Sequence, residues 1–332
     1  MFIVKNRKFF YFISGLVVVL SIAALLTWGL KFGIDFTGGS LLEVAYTGSA
    51  PTPQEITQAL ATAGIHGSSV RPTGLPADLP AEADAQAEGS PARQSLGAGG
   101  AQVGETGYLI RTPFLPPALY DAVKKSLSAD GKWQYEEKQF NSIGPTIGSE
   151  LQNKAIYAIL LVLVAIALFI MFAFRKVSKP VSSWKYGLIA LIALAHDVIV
   201  PVGVFAILGH FLGAEVDTLF VTAILVVLGF SVHDTIVVFD RVRENLNKNH
   251  ERGMKEDFEE TVGKSIAQTL NRSINTSLTV VLVLLALLYL GPVSASYFVL
   301  ALLIGIVSGT YSSIFLGSPL LVTLEKMQNK NS

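Results

Sequence analysis

The sequence predicts an α-helical polytopic membrane protein of six spans, with one small α+β domain inserted after the first span. Three observations predict it. The chain is 51% hydrophobic and only 15% charged, which is a membrane composition. Six apolar runs are each long enough to cross about 30 Å of hydrocarbon, which takes about 20 residues. Between the first and second runs, residues 30–150 carry strand and capped-helix signals instead. The formal net charge is +0, so nothing global argues for nucleic acid. With no cysteine there is neither a disulfide framework nor a thiolate metal site.

The runs lie near 9–29, 152–174, 186–209, 217–239, 274–291 and 295–318. The first follows Lys5, Arg7 and Lys8. Its apolar stretch is too long for a signal-peptide h-region, and "TWGLKFGIDF" lacks a small-residue cleavage site, so it reads as a retained anchor. Lys and Arg set the orientation. They fill the N-terminus, the loop 175–185, the loop 240–272 and the tail 321–332, and are missing near 210–216 and 291–294. Both termini are therefore expected to be cytoplasmic, with 30–150 outside.

Within 30–150, "LLEVAYTG" alternates like a strand. "TPQEITQALATAG" reads as a helix, with Thr52 as N-cap, Pro53 next, Glu55 closing a capping box and Gly64 as terminator. "GIHGSSVRP" and "TGYLIRTP" read as strands, "PPALYDAVKKSLSADG" as a second helix and "KWQYEEKQFNSIG" as a last strand. The order β-α-β-β-α-β is that of a ferredoxin-like unit. Residues 73–106, rich in Ala, Gly and Pro, have too few large apolar side chains to offset their ordering entropy and read as a flexible insertion.

Polar groups inside the runs carry the functional signal. "LAHDVIVP" puts His196 and Asp197 halfway along the third run, and "SVHDTIVV" puts His233 and Asp234 in the inner part of the fourth. A charge near a span centre costs on the order of 2.5–3.5 kcal/mol, so such residues face a bundle interior, a cavity or a partner. Pro201 leaves the Asp197 carbonyl without its helical donor, which predicts a bend beside the acid. In the fifth run Arg272, Asn275, Thr276 and Thr279 fall at helical spacing, and Arg272 enters on the same side as Asp234. A pair between them, made and broken, would be the minimum of a proton relay. The plainer alternatives are that Arg272 snorkels and that the His-Asp pairs only tie helices together. Gly305 and Gly309, with Ser313 one turn on, form a small-residue packing face. The stretch "FEETVGKSIAQTL" has Phe258, Val262 and Ile266 along one stripe and reads as a helix on the inner membrane surface, with a solvated linker helix as the alternative. Without cysteine or HExxH, no metal is expected.

Four stretches together resemble the SecF side of the SecD/SecF family: "FGIDFTGGS" at 32–40, "ALAHDVIVP" at 193–201, "GFSVHDTIVVFDRVREN" at 229–245 and "QTLNRSINTSLT" at 268–279. Such chains resemble one six-helix half of the resistance-nodulation-division (RND) exporters. The resemblance implies a twelve-span complex with SecD, near the SecYEG channel with YajC and YidC. It also implies that a proton or sodium gradient, with no cofactor, drives late, ATP-independent translocation of an unfolded preprotein. Residue by residue it makes Asp234 and Arg272 the proton-pathway carboxylate and arginine, and Asp197 the acid of the preceding span. Thr276 joins them, with His233, His196 and Asn275 as secondary candidates. The segment with Gly33, Asp35, Gly38 and Gly39 would couple the first span to the outside domain as a hinge; a static turn is the alternative. The chain is not expected to be an enzyme. Rival readings are a passive translocon scaffold and an RND-type small-molecule exporter subunit. An intramembrane protease is a poorer one, because Asp197 and Asp234 sit in no GxGD context.

Overall fold

Hydropathy and helix signals become six long helices in a computed structural model that describes residues 2–47, 50–73, 105–129, 131–175, 181–254 and 256–330. The helices long and apolar enough to cross a membrane are Arg7–Trp28, Pro145–Ala173, Ser183–Phe211, Thr218–Glu251, Phe258–Leu290 and Ser296–Gln328, here the first to sixth spans. The last contains a π-helical stretch, Ser312–Gly317, and continues as the helix Ser318–Lys330. Residues 321–330 of the expected tail are therefore helix.

The expected loop 240–272 is mostly helical. The fourth span stays helical to Glu251 and the fifth begins at Phe258. Charged residues past the apolar run keep the helix, because Glu244 pairs with Arg241 at 2.5 Å and with Lys248 at 2.6 Å on its own surface. Asn245 Nδ2 donates to Ser265 Oγ at 2.9 Å and to Gln268 Oε1 at 3.0 Å, joining the two helices. The stripe Phe258, Val262 and Ile266 is likewise corrected. It is buried against Val4, Val238, Phe239, Val242, Ile314 and Leu321, so it closes the bundle's own core rather than lying on lipid. Pro201 sits buried inside a helix that remains one element from Ser183 to Phe211.

Between the first two spans, β1 (Gly39–Thr47), β2 (Ser69–Thr73), β3 (Glu105–Thr112) and β4 (Gln134–Ile143) form one sheet in the order β2-β3-β1-β4, with every neighbouring pair antiparallel. The helices Pro53–Thr62 and Pro117–Ser128 cover it, and Leu42, Val44, Ile56, Leu60, Ile110 and Val123 fill the space between. The buried tyrosines keep their hydroxyls satisfied: Tyr46 donates to Leu127 O at 3.1 Å and Tyr108 to Pro51 O at 2.7 Å. Of the expected insertion 73–106, residues 74–104 lie outside the described residues.

The capping box forms as the sequence requires. Glu55 N donates to Thr52 Oγ1 at 3.3 Å, and Thr52 N to Glu55 Oε2 at 2.8 Å. The backbone bond from Thr52 holds the Glu55 carboxyl below its ordinary range. A depressed value means the contribution is complete above the ordinary glutamate range and is lost as pH falls through the lower, folded-state value. Thr52→Ala should therefore loosen the helix by about 1 kcal/mol. In amide exchange over 53–62, Glu55→Gln should differ from wild type at neutral pH and converge with it in acid.

The glycine segment is tied down at the far end of the bundle. Gly33 N donates to Val216 O at 2.8 Å, and Val216 N to Lys31 O at 2.7 Å. Asp35 Oδ2 accepts the Thr218 amide at 2.9 Å and also the Thr218 hydroxyl, so it caps the first turn of the fourth span. Gly38 has φ +74°, and a Cβ there would stand 2.7 Å from Pro145 Cα, at the start of the second span. Arg111 of β3 pairs with Glu215 and bonds Thr37 Oγ1 at 3.1 Å, fixing the sheet onto the same corner. In this state the segment is a tight, packed turn. Beside it, burial and the nearby carboxylates Asp35 and Glu215 raise Asp217 above the ordinary aspartate range.

Candidate ion-coupling site

The third, fourth, fifth and sixth spans each bring small polar side chains to one buried place. Asp197 on the third span has no exposed surface, and Asp234 on the fourth is 7% exposed. Asp197 accepts from Ser231 Oγ at 2.5 Å, Ser312 Oγ at 2.7 Å and Ser308 Oγ at 3.4 Å, and His196 Nδ1 lies 3.0 Å from its Oδ1. Asp234 accepts from Ser273 Oγ at 2.5 Å and Ser313 Oγ at 2.7 Å. Short hydroxyl–carboxylate bonds of this kind stabilise a charge in a low dielectric. Among the described residues, neither carboxylate has a Lys or Arg ion-pair partner.

Glycine makes the close approach possible. A Cβ at Gly305 would stand 2.3 Å from Val227 Cγ2, and one at Gly309 would stand 3.0 Å from Ser231 Cβ. The Gly305/Gly309 face therefore packs on the fourth span of the same chain. Gly309 lets Ser312 and Ser313 reach the two acids.

The expected pairing of Arg272 with Asp234 is not made here. Arg272, Asn275 and Thr276 are exposed, and Thr276 Oγ1 bonds the Arg272 carbonyl of its own helix at 2.8 Å. The inward face is Ser273 and Ser277, one position further along, which a 3.6-residue period turns by about 100°. Among the described residues no carboxylate pairs with Arg272. His233 is also exposed, while its counterpart His196 is buried beside Asp197 with Nε2 unpartnered. An exposed residue on these long helices faces lipid, water or another chain. Asp35, with Gly33, Gly38 and Gly39, belongs to the other end of the fourth span. Sixteen residues separate Thr218 from Asp234, about 24 Å at 1.5 Å per residue.

The serines were not legible as a set. Ser313 stood out only as a small packing residue. Ser231, Ser273, Ser308 and Ser312 reach carboxylates that lie on other helices, so no local spacing points to them.

A family model described as "Protein export membrane protein SecD/SecF, C-terminal" matches residues 122–327, and the "SecD/SecF GG Motif" matches 23–50. The chain belongs to the SecD/SecF family. It is 43% identical to the protein translocase subunit SecF of Thermobaculum terrenum, over 97% of this chain and 93% of that one. It is 35% identical to the SecF of Anaerolinea thermophila, over 99% of this chain and 96% of that one. Among solved structures it is similar to SecDF of Thermus thermophilus, a translocon-associated membrane protein, with TM-score 0.72 and 27% identity over 97% of this chain. A SecDF in a super-membrane-facing form gives TM-score 0.63 over 98% of this chain. The chain spans just under two-fifths of those SecDF chains, 38% and 39%. Its two glycines of the matched motif, Gly38 and Gly39, are the tight turn between the first span and the sheet.

Proposed function

We propose that the chain is a SecF-type translocase subunit of a bacterial cytoplasmic membrane that works with SecD, and that Asp234 couples an ion gradient to late, ATP-independent preprotein movement. The observation that carries this reading is the buried pair of carboxylates held by hydroxyls, with no Lys or Arg partner for Asp234 among the described residues. A carboxylate so placed is stabilised by two donors yet uncompensated, so its charge is sensitive to a proton or to an arriving cation. Of the two ions we favour the proton. Asp197 shares the site and Asp35 ties its outer end to the sheet domain. We read that domain, residues 30–150, as ferredoxin-like and extracytoplasmic, with both termini cytoplasmic.

The exposed Arg272 supports SecD as partner. An arginine on a membrane helix with no carboxylate partner is costly unless it snorkels or a second chain meets it, and the matched SecDF chains have more than half their length beyond this one. Cysteines introduced at 272 or 276, in a chain that has none of its own, should cross-link to SecD, while cysteines at 273 or 277 should not. The reverse pattern would mean the fifth span is phased differently.

The experiment for the function uses inner-membrane vesicles with a preprotein arrested midway and ATP removed. An imposed gradient should complete export only when this chain and SecD are present. Completion that needs the chain but ignores the gradient would favour the passive scaffold.

A further inference from the structure

Ser312 and Ser313 are neighbours in sequence, yet their hydroxyls serve acids on two different helices. Ser312 Oγ donates to Asp197 Oδ2 and Ser313 Oγ to Asp234 Oδ2, each at 2.7 Å. Both hydroxyls also reach one carbonyl, Gly309 O, at 3.1 Å and 3.0 Å. A hydroxyl carries one proton, so Ser312 divides it between Asp197 and that shared carbonyl, and Ser313 divides it between Asp234, the shared carbonyl at 3.0 Å and Thr310 O at 3.2 Å. The two serines open the π-helical stretch Ser312–Gly317. Such turns are rare and occur frequently at functional sites.

We propose that the Ser312–Ser313 pair is a positioning element that couples the two buried carboxylates, passing a change of charge at Asp234 on to Asp197. This rests on the reading of Asp234 as a group that gains and loses a proton. While Asp234 is ionised it only accepts, and the Ser273 and Ser313 hydroxyls both donate hydrogen bonds to it. When it gains a proton from water it becomes a donor and loses acceptor capacity. The Ser313 hydroxyl then turns to Gly309 O, and that carbonyl becomes less available to Ser312, whose proton is left to Asp197. Loss of the proton to water reverses the sequence. The serines only rotate; no proton passes through them.

The titratable groups around the pair are few. The third span offers Asp197 and His196, and the sixth offers Tyr311, whose ring stacks on His196 at 6.2 Å. The fifth span faces the site with Ser273 and Ser277, while its Arg272 and the fourth span's His233 point outward.

The test is infrared difference spectroscopy between acid and neutral pH on the full chain in lipid with SecD, with bands assigned by their loss in Asp234→Asn and Asp197→Asn. In wild type, a protonated carboxyl band from Asp234 should appear together with a shift of the Asp197 band at the same midpoint. In Ser313→Ala the Asp234 band should persist, which also reports a folded site, and the Asp197 shift should vanish. Ser313→Thr, which keeps the hydroxyl, should restore it. An Asp197 shift that survives in Ser313→Ala, or that is missing from wild type while the Asp234 band is present, overturns the coupling alone. A wild type with no Asp234 band overturns both the coupling and the proton reading.

Discussion

Asp234→Asn is expected to abolish gradient-driven completion of an arrested preprotein while the chain still folds and assembles with SecD. The side chain keeps its shape: its oxygen can still accept from one of the two serines, which bond different carboxylate oxygens, and its NH2 can donate to the hydroxyl oxygen of the other, whose own proton has a backbone carbonyl in reach, Gly309 O for Ser313. What it loses is the ability to change charge. One elementary charge moved through 100 mV yields about 2.3 kcal/mol, roughly a fifty-fold bias per charge in each cycle. Without a titrating group that bias has no point of application, so completion should fall to the level seen without a gradient. The companion change Asp197→Asn should behave differently. Asp197 is fully buried and accepts from three serine hydroxyls. An amide cannot take all of these bonds, and the unmet ones cost about 1–3 kcal/mol each. Its first effect should be a lower amount of folded chain in the membrane. Quantifying assembled complex beside completion separates the two outcomes.

The second large effect is expected at Gly203, where the first and third spans cross. A Cβ there would stand 2.2 Å from Ser21 Cβ and 2.4 Å from Ser21 Cα. The second of those is a backbone atom, so no rotamer relieves the clash and one span must move. Overpacking of a dense interior costs about 1–3 kcal/mol, and more where backbone is displaced. Gly203→Ala should therefore lower the thermal midpoint of the purified chain and its level in membranes. Gly15 on the first span has nothing within 4 Å of an added Cβ, so Gly15→Ala is the matched control and should be neutral. Equal midpoints for the two variants would mean that the first span is not packed on Gly203.

Much of this architecture is written in local chemistry. The six apolar runs, the capping box at Thr52 and Glu55 and the succession of strands and helices in the sheet domain are all short-range patterns. So are Asp197 and Asp234, because a carboxylate in hydrocarbon stands out against any apolar background. The site around them is not short-range. Arg272 with Thr276, and Ser273 with Ser277, share the same helical spacing, and only packing against the fourth and sixth spans decides which pair turns inward. Gly305 and Gly309 are visible as a pair on one helix. Gly203 is not, because its neighbour Ser21 lies on another span. The charged stretch after Asp240 looked like a loop because its helix is held by pairs such as Glu244–Lys248 and by contacts to the next helix.

The most direct measurement is proton movement during the export step itself. Vesicles holding a pH-sensitive dye, an arrested preprotein and no ATP would be given a proton gradient, and dye signal and completion followed together. Proton uptake that accompanies completion in wild type, with both lost in Asp234→Asn, is the predicted result. Completion that proceeds without proton movement, or that survives in Asp234→Asn, would contradict the assignment of Asp234 as the coupling group.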